Sequence, residues 1–98
     1  MSAATEFEWD EQKRRANIAK HGLDFTDAEE LDWDTAAIIP SARGDFGETR
    51  LVVLGMHHGH VHVVIVTRRL GRTRIISFRK AKAKEVWRYE SEKEKNRS

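Results

Sequence analysis

Ninety-eight residues, 39% hydrophobic and 35% charged, suffice for one core and leave no room for a second. The absence of cysteine excludes a disulfide scaffold, a cysteine zinc site and a thiol nucleophile, and no apolar run nears the roughly 20 residues that span a bilayer. The net charge of +2 hides a division: residues 1–67 carry 6 basic against 12 acidic side chains, residues 68–98 carry 12 against 4. The basic part suits nucleic acid or an acidic partner, unless the acidic part folds back and neutralises it. A cysteine-free chain whose first residues lack the basic and apolar regions of a signal peptide fits the cytoplasm.

Phe7-Glu8-Trp9 reads as a short edge strand, and Asp10 as the N-cap of a helix that ends near His21, with Gly22 beyond it. The apolar face of this helix is thin, Ala16, Ile18 and Ala19. Lys13, Asn17, Lys20 and His21 share its polar side. A second, shorter helix starts at Asp24 or Thr26, with Thr26–Glu29 as a capping box and Phe25, Ala28 and Leu31 as its core stripe. Its acidic residues, Asp27, Glu29, Glu30, Asp32 and Asp34, read as a solvated face. Strands follow: Ala36 to Ile39, ending at Pro40; Leu51 to Gly55; Val61 to Thr67; and Thr73 to Lys80. Short glycine-containing loops join the last three into an antiparallel meander. Ala81 to about Asn96 closes the chain as a basic helix, fraying from about Ser91. This order predicts a single α+β domain over residues 1–98, with N-terminal helices packed on an antiparallel sheet and a C-terminal helix.

The stretch Arg74-Ile75-Ile76-Ser77-Phe78-Arg79 carries the most chemistry. Strand alternation sets Arg74, Ile76 and Phe78 on one face, and Ile75, Ser77 and Arg79 on the other. Guanidinium matches phosphate oxygens bidentately, so the strand is either a phosphate grip or an edge blunted by charge. Alternation puts Ser77 and Arg79 together and leaves Arg74 the least secure member. Glu48 and Arg50, two apart at a strand start, form either a cross-strand ion pair or part of the same site. Lys20, His21 and Tyr89 could move protons or stabilise charge during RNA cleavage, although a tyrosine there also serves as a core anchor. His57, His58, His60 and His62 lack ligand spacing to cysteine or carboxylate and read as solvated hairpin residues, so neither metal nor cofactor is expected.

Taken together, Trp9-Asp10-x2-Lys13-x3-Asn17-x2-Lys20-His21-Gly22, then Gly47-Glu48-x-Arg50-x4-Gly55, then Arg74-Ile75-Ile76-Ser77-x-Arg79-x-Ala81-x3-Glu85-x3-Tyr89 resembles the BrnT toxin family from about Phe7 to Glu90. The resemblance implies a RelE-like fold and a ribonuclease toxin of a type II toxin–antitoxin pair. It implies RNA as substrate and a BrnA-like antitoxin with a ribbon-helix-helix part, in a complex that can hold a toxin dimer. By motif position it nominates Lys20, His21, Glu48, Arg50, Arg74, Ser77, Arg79 and Tyr89, of which Arg74 reads as an RNA contact and the rest as catalytic; Lys80 and Lys84 of the basic tail read as further RNA contacts. Phe78 stands where many similar sequences have alanine, which implies altered packing or a ring free to stack on a base.

Overall fold

Asp10 starts the first helix, α1 (Glu11–His21), by accepting from the Gln12 and Lys13 backbone N–H groups at 2.8 and 3.3 Å, and Gly22 ends it by donating to Ile18 O. The computed structural model describes residues 6–41 and 50–95. The second helical segment is a 3-10 helix, Phe25–Glu30, and its cap is Asp24, which accepts from Thr26 N, rather than the Thr26–Glu29 box expected. Phe25, Ala28 and Leu31 are buried as expected, and Asp27, Glu29, Glu30, Asp32 and Asp34 are exposed.

Five strands form one sheet in the order β1-β5-β4-β3-β2: β1 (Phe7–Glu8), β2 (Ala37–Ser41), β3 (Arg50–His57), β4 (His60–Arg69) and β5 (Arg72–Lys80). The β2–β5 part is the antiparallel meander. Among the described residues the single parallel pair is β1 with β5, which α1 and the intervening strands separate in sequence. Pro40 lies within β2, tolerated because β2 is an edge strand. Both hairpins turn on two residues with left-handed backbone, His58–Gly59 and Leu70–Gly71, the turns whose twist suits a two-residue hairpin. The second helix, α2 (Ala83–Lys95), starts two residues later than the periodicity suggests and continues past Ser91.

The sheet is covered on both faces. On one, Phe25, Ala28 and Leu31 pack against Val53, Val64, Val66, Ile75 and Phe78. On the other, Tyr89 and Val86 of α2 pack over Leu54, Val61 and Val63. Gly55 lets the first layer approach closely, since a Cβ there would sit 2.8 Å from Leu31 Cδ2. Phe78 is fully buried in that core, so its ring is packing material and not a base-stacking platform.

α1 attaches to the sheet by a polar contact. Its buried residue is Asn17, while Ala16, Ile18 and Ala19 are exposed. The Asn17 amide donates to Phe78 O at 2.7 Å and Leu23 O at 2.9 Å, and its oxygen accepts from Phe78 N at 3.2 Å. β1 covers the β5 edge only at Thr73 and Arg74; further along, this side chain takes the place of a neighbouring strand. Removing it orphans buried backbone groups, each costing about 1–3 kcal/mol. Asn17→Ala should therefore lower unfolding free energy by about 2–4 kcal/mol, whereas Ile18→Ala, at a site 38% exposed, should change it by less than about 1 kcal/mol. Urea denaturation of both variants checks the contrast.

Candidate functional site

The β4–β5 register decides which arginines meet. Thr67 pairs with Arg74 and Val66 with Ile75, but Ile65 pairs with Ser77, so Ile76 is an extra residue with no partner. Beyond this bulge the faces exchange. Arg74, Ser77 and Arg79 oppose Thr67, Ile65 and Val63, which lie on one side of β4 at a period of two. The expectation that Arg74 lies opposite Ser77 and Arg79 is thus corrected, because alternation was counted through a residue that the ladder skips.

Across the sheet the same face continues. Arg50 opposes both Thr67 and Ser41, giving a row Ser41, Arg50, Thr67, Arg74, Glu8 over five strands. This is the face on which α2 lies, but α2 covers Leu54, Val61 and Val63 nearer the far end of the strands. Glu8 stands 3.3 Å from Arg74 Nε, and Nε, though buried, has no hydrogen bond, so charge proximity rather than a directed bond holds the pair. Thr67 Oγ1 between the two arginines is also buried without a partner. Thr67 was not anticipated as a site residue. The available signal was a hydroxyl ending the apolar run Val61–Val66.

Arg79 sits four β4 positions from Arg74, roughly 13 Å at about 3.3 Å per residue. Its guanidinium makes a fork with Glu85, Nη1–Oε1 2.8 Å and Nη2–Oε2 2.7 Å, and Glu85 Oε1 also accepts from Lys82 N at 2.8 Å. That last contact is the reach-back of a helix capping box, so Glu85 starts α2 and orients Arg79 together. The fork to Arg79, then the bond from Lys82, holds the Glu85 carboxyl below its ordinary range, and the same fork raises Arg79. His21, half-buried at the end of α1, is pushed below its ordinary 6.5 by burial, then by Lys20 and Arg79. An uncharged imidazole therefore shares the field of two cations.

The remaining nominees are dispersed. Lys20 is exposed beside His21. Tyr89 is 3% exposed in the core beneath α2, yet its hydroxyl has no hydrogen-bond partner, so it is an anchor without the satisfied hydroxyl expected of one. Lys80 opposes His62 and so points to the face away from Arg79; Lys84 is exposed on α2 beside Trp87 and Arg88. Glu48 lies outside the described residues. Glu85, absent from the nominees, was legible from the family motif, which includes Glu85-x3-Tyr89. Solvation of the histidines holds for His58 and His60 but fails for His57 and His62, each 6% exposed. The turn is shorter than expected, so His57 belongs to β3 and its ring contacts Phe78 at 5.3 Å.

Two comparisons with known proteins converge. The family described as "Ribonuclease toxin, BrnT, of type II toxin-antitoxin system" matches residues 9–85. The crystal structure of the Brucella abortus ribonuclease toxin BrnT superposes with a TM-score of 0.66 at 35% identity, covering 81% of this chain and 99% of that one. No curated protein matches. With most of its length inside the family match and the same α+β architecture, this chain belongs to the BrnT family of ribonuclease toxins of type II toxin–antitoxin systems.

Proposed function

We propose that this chain is a metal-independent endoribonuclease that cuts single-stranded or ribosome-associated RNA and so inhibits translation. The observation that carries this reading is the cationic face with two ends, Arg50 and Arg74 at one, Arg79 with a neutral His21 at the other. A separation of roughly 13 Å exceeds the spacing of adjacent phosphates and suits two phosphates about two nucleotides apart on an extended strand better than a single phosphate. Cleavage needs a base for the 2′-hydroxyl, cations for the developing phosphorane charge and an acid for the leaving oxygen. His21 is the base, since its lowered proton affinity leaves it unprotonated at neutral pH; Glu48 is the alternative base. Arg79 stabilises the phosphorane. Its bonds to Glu85 and to Lys80 O leave Nε–H and one Nη2–H for phosphate. Lys20, being exposed, is better placed as the acid than the buried Tyr89 hydroxyl.

Ser77 positions the phosphate between the two ends, and Lys84, exposed on α2, supplies a further RNA contact, whereas Lys80, on the opposite face, drops out of this surface. A BrnA-like ribbon-helix-helix antitoxin neutralises the chain by covering this face, with two toxins able to share one complex in the cytoplasm. A second reading has an observation of its own. The Glu85 fork occupies much of Arg79, as expected of a degenerate toxin that binds nucleic acid or antitoxin for promoter regulation without cleaving.

Expression of the chain alone should arrest growth and generate new RNA ends, and purified protein should cut RNA in EDTA. Arg79→Ala should lower kcat by about 10²–10³ and relieve the arrest. Arg74→Ala should instead weaken RNA binding and reduce the salt slope of log K by about 1. Salt-sensitive binding with intact RNA ends would favour the second reading. The rate should also fall on acidification through a midpoint below 6.5, where His21 gains its proton and ceases to be a base. A pH–rate profile of wild type and His21→Gln checks this, because the acid limb should be absent from the variant.

A further inference from the structure

We propose that the turn end of the β3–β4 hairpin binds a first-row transition metal ion of the Zn²⁺ class through Glu30, His57 and His58. The ligand atoms of these three residues lie within 4.8 Å of one another. Glu30 Oε1 is 3.0 Å from His58 Nε2 and 3.8 Å from His57 Nε2. Zinc bonds of about 2.0–2.1 Å to nitrogen place tetrahedral donors about 3.3 Å apart, so the carboxylate already stands near ligand spacing from both rings. Two imidazoles and one carboxylate select zinc-like ions over Mg²⁺ or Ca²⁺, which prefer all-oxygen shells.

A second observation, independent of spacing, concerns His57. The side chain is 6% exposed and neither ring nitrogen has a hydrogen-bond partner. An orphaned buried polar group is costly, and a metal ion would satisfy one of these nitrogens. His57 and His58 rings stack at 4.0 Å, only 8° from parallel, so two in-plane lone pairs cannot converge as they stand. His58 is 71% exposed at the turn and can rotate out of the stack, leaving His57 as the fixed ligand. His57 Nδ1 has no acceptor, so the usual outer brace of a zinc-bound histidine is missing and affinity falls by about tenfold to a hundredfold.

The site ties the 3-10 helix to the hairpin. It lies on the opposite sheet face from Arg50, Arg74 and Arg79, since His57 follows Val53 and Gly55 on the Phe78 side. Metal binding here is therefore separate from the cationic face of the proposed cleavage, and its three protein ligands leave one position of a tetrahedral ion open to water. A ligand bound only to the native state raises stability by mass action.

The test titrates ZnCl₂, and MgCl₂ in parallel, into the metal-stripped full chain by calorimetry, with thermal unfolding and imidazole ¹⁵N spectra recorded alongside. One Zn²⁺ per chain should bind, raise Tm and shift the His57 ring resonances, with no response to Mg²⁺. His58→Asn, which tolerates the left-handed turn, and Glu30→Gln, both at exposed positions, should each reduce affinity at least tenfold and shrink the zinc-dependent rise in Tm. Absence of zinc uptake by the wild-type chain, uptake unaltered in both variants, or uptake without movement of the His57 resonances would overturn the proposal.

Discussion

One unpaired residue in β5 settles what the strand can offer to RNA. Ile75 and Phe78 are both essentially inaccessible in the same core, yet they stand three positions apart, an odd step that an unbroken strand cannot place on one face. Burying each is worth about 1.5–3 kcal/mol. Keeping regular alternation would instead carry Arg74 into the apolar layer beside Phe78, where an unsatisfied guanidinium costs several kcal/mol. Skipping Ile76 resolves both demands at once. The core thus selects the bulge, and the bulge gathers Arg74, Ser77 and Arg79 with Arg50 on the face where α2 lies.

The exposed edge of β5 supplies the rest of the arrangement. Two different devices occupy it in turn, a two-residue parallel strand at Thr73 and Arg74 and the Asn17 amide at Phe78, and one residue on the Glu85 fork joins the Arg79 side chain to the start of α2. Each also delivers something to the candidate site. The short strand brings Glu8 to Arg74. Asn17 fixes the last turn of α1, and with it His21, close enough to Arg79 for the guanidinium to depress its proton affinity. Glu85 fixes the Arg79 rotamer. Edge protection and site assembly are consequently the same set of contacts, so the two readings of a charged edge strand need not compete.

Local chemistry was legible in the amino-acid sequence and long-range geometry was not. Asp10 and Gly22 bound α1 as expected, since a cap depends on groups a few residues apart. The meander followed from apolar runs and glycine turns. Misreadings came where a distant partner overrode a local pattern. Asn17 looked like part of a solvated face, but its partner is Phe78, 61 residues away. His57 looked like a turn residue, but the hairpin closes on His58 and Gly59 alone. Of the proposed site, the identities of Arg50, Ser77 and Arg79 were accessible through spacing and family pattern. The face of Arg74 was not, because a bulge has no marker when the skipped residue is an ordinary Ile76.

Positive charge on this face is moderated and never simply displayed. Glu8 faces Arg74, Glu6 and Glu8 approach Arg72, and Glu85 grips Arg79, so the acidic beginning of the chain does fold back on part of the basic end. Such pairing lowers the self-repulsion of clustered guanidinium groups in the free protein and limits their rotamers before a ligand arrives. The pairs at Arg72 are open to solvent, where salt and competing anions weaken them, and the Arg74–Glu8 contact, though its Nε is buried, has no directed hydrogen bond to hold it. The Arg79 fork is more enclosed and carries an extra backbone bond, which makes it the harder one for phosphate to displace. RNA entering along β5 would then exchange carboxylates for phosphates at the Arg74 end, while at the Arg79 end it would use only the hydrogens that Glu85 leaves over. Binding and catalysis would thereby be assigned to opposite ends of one strand.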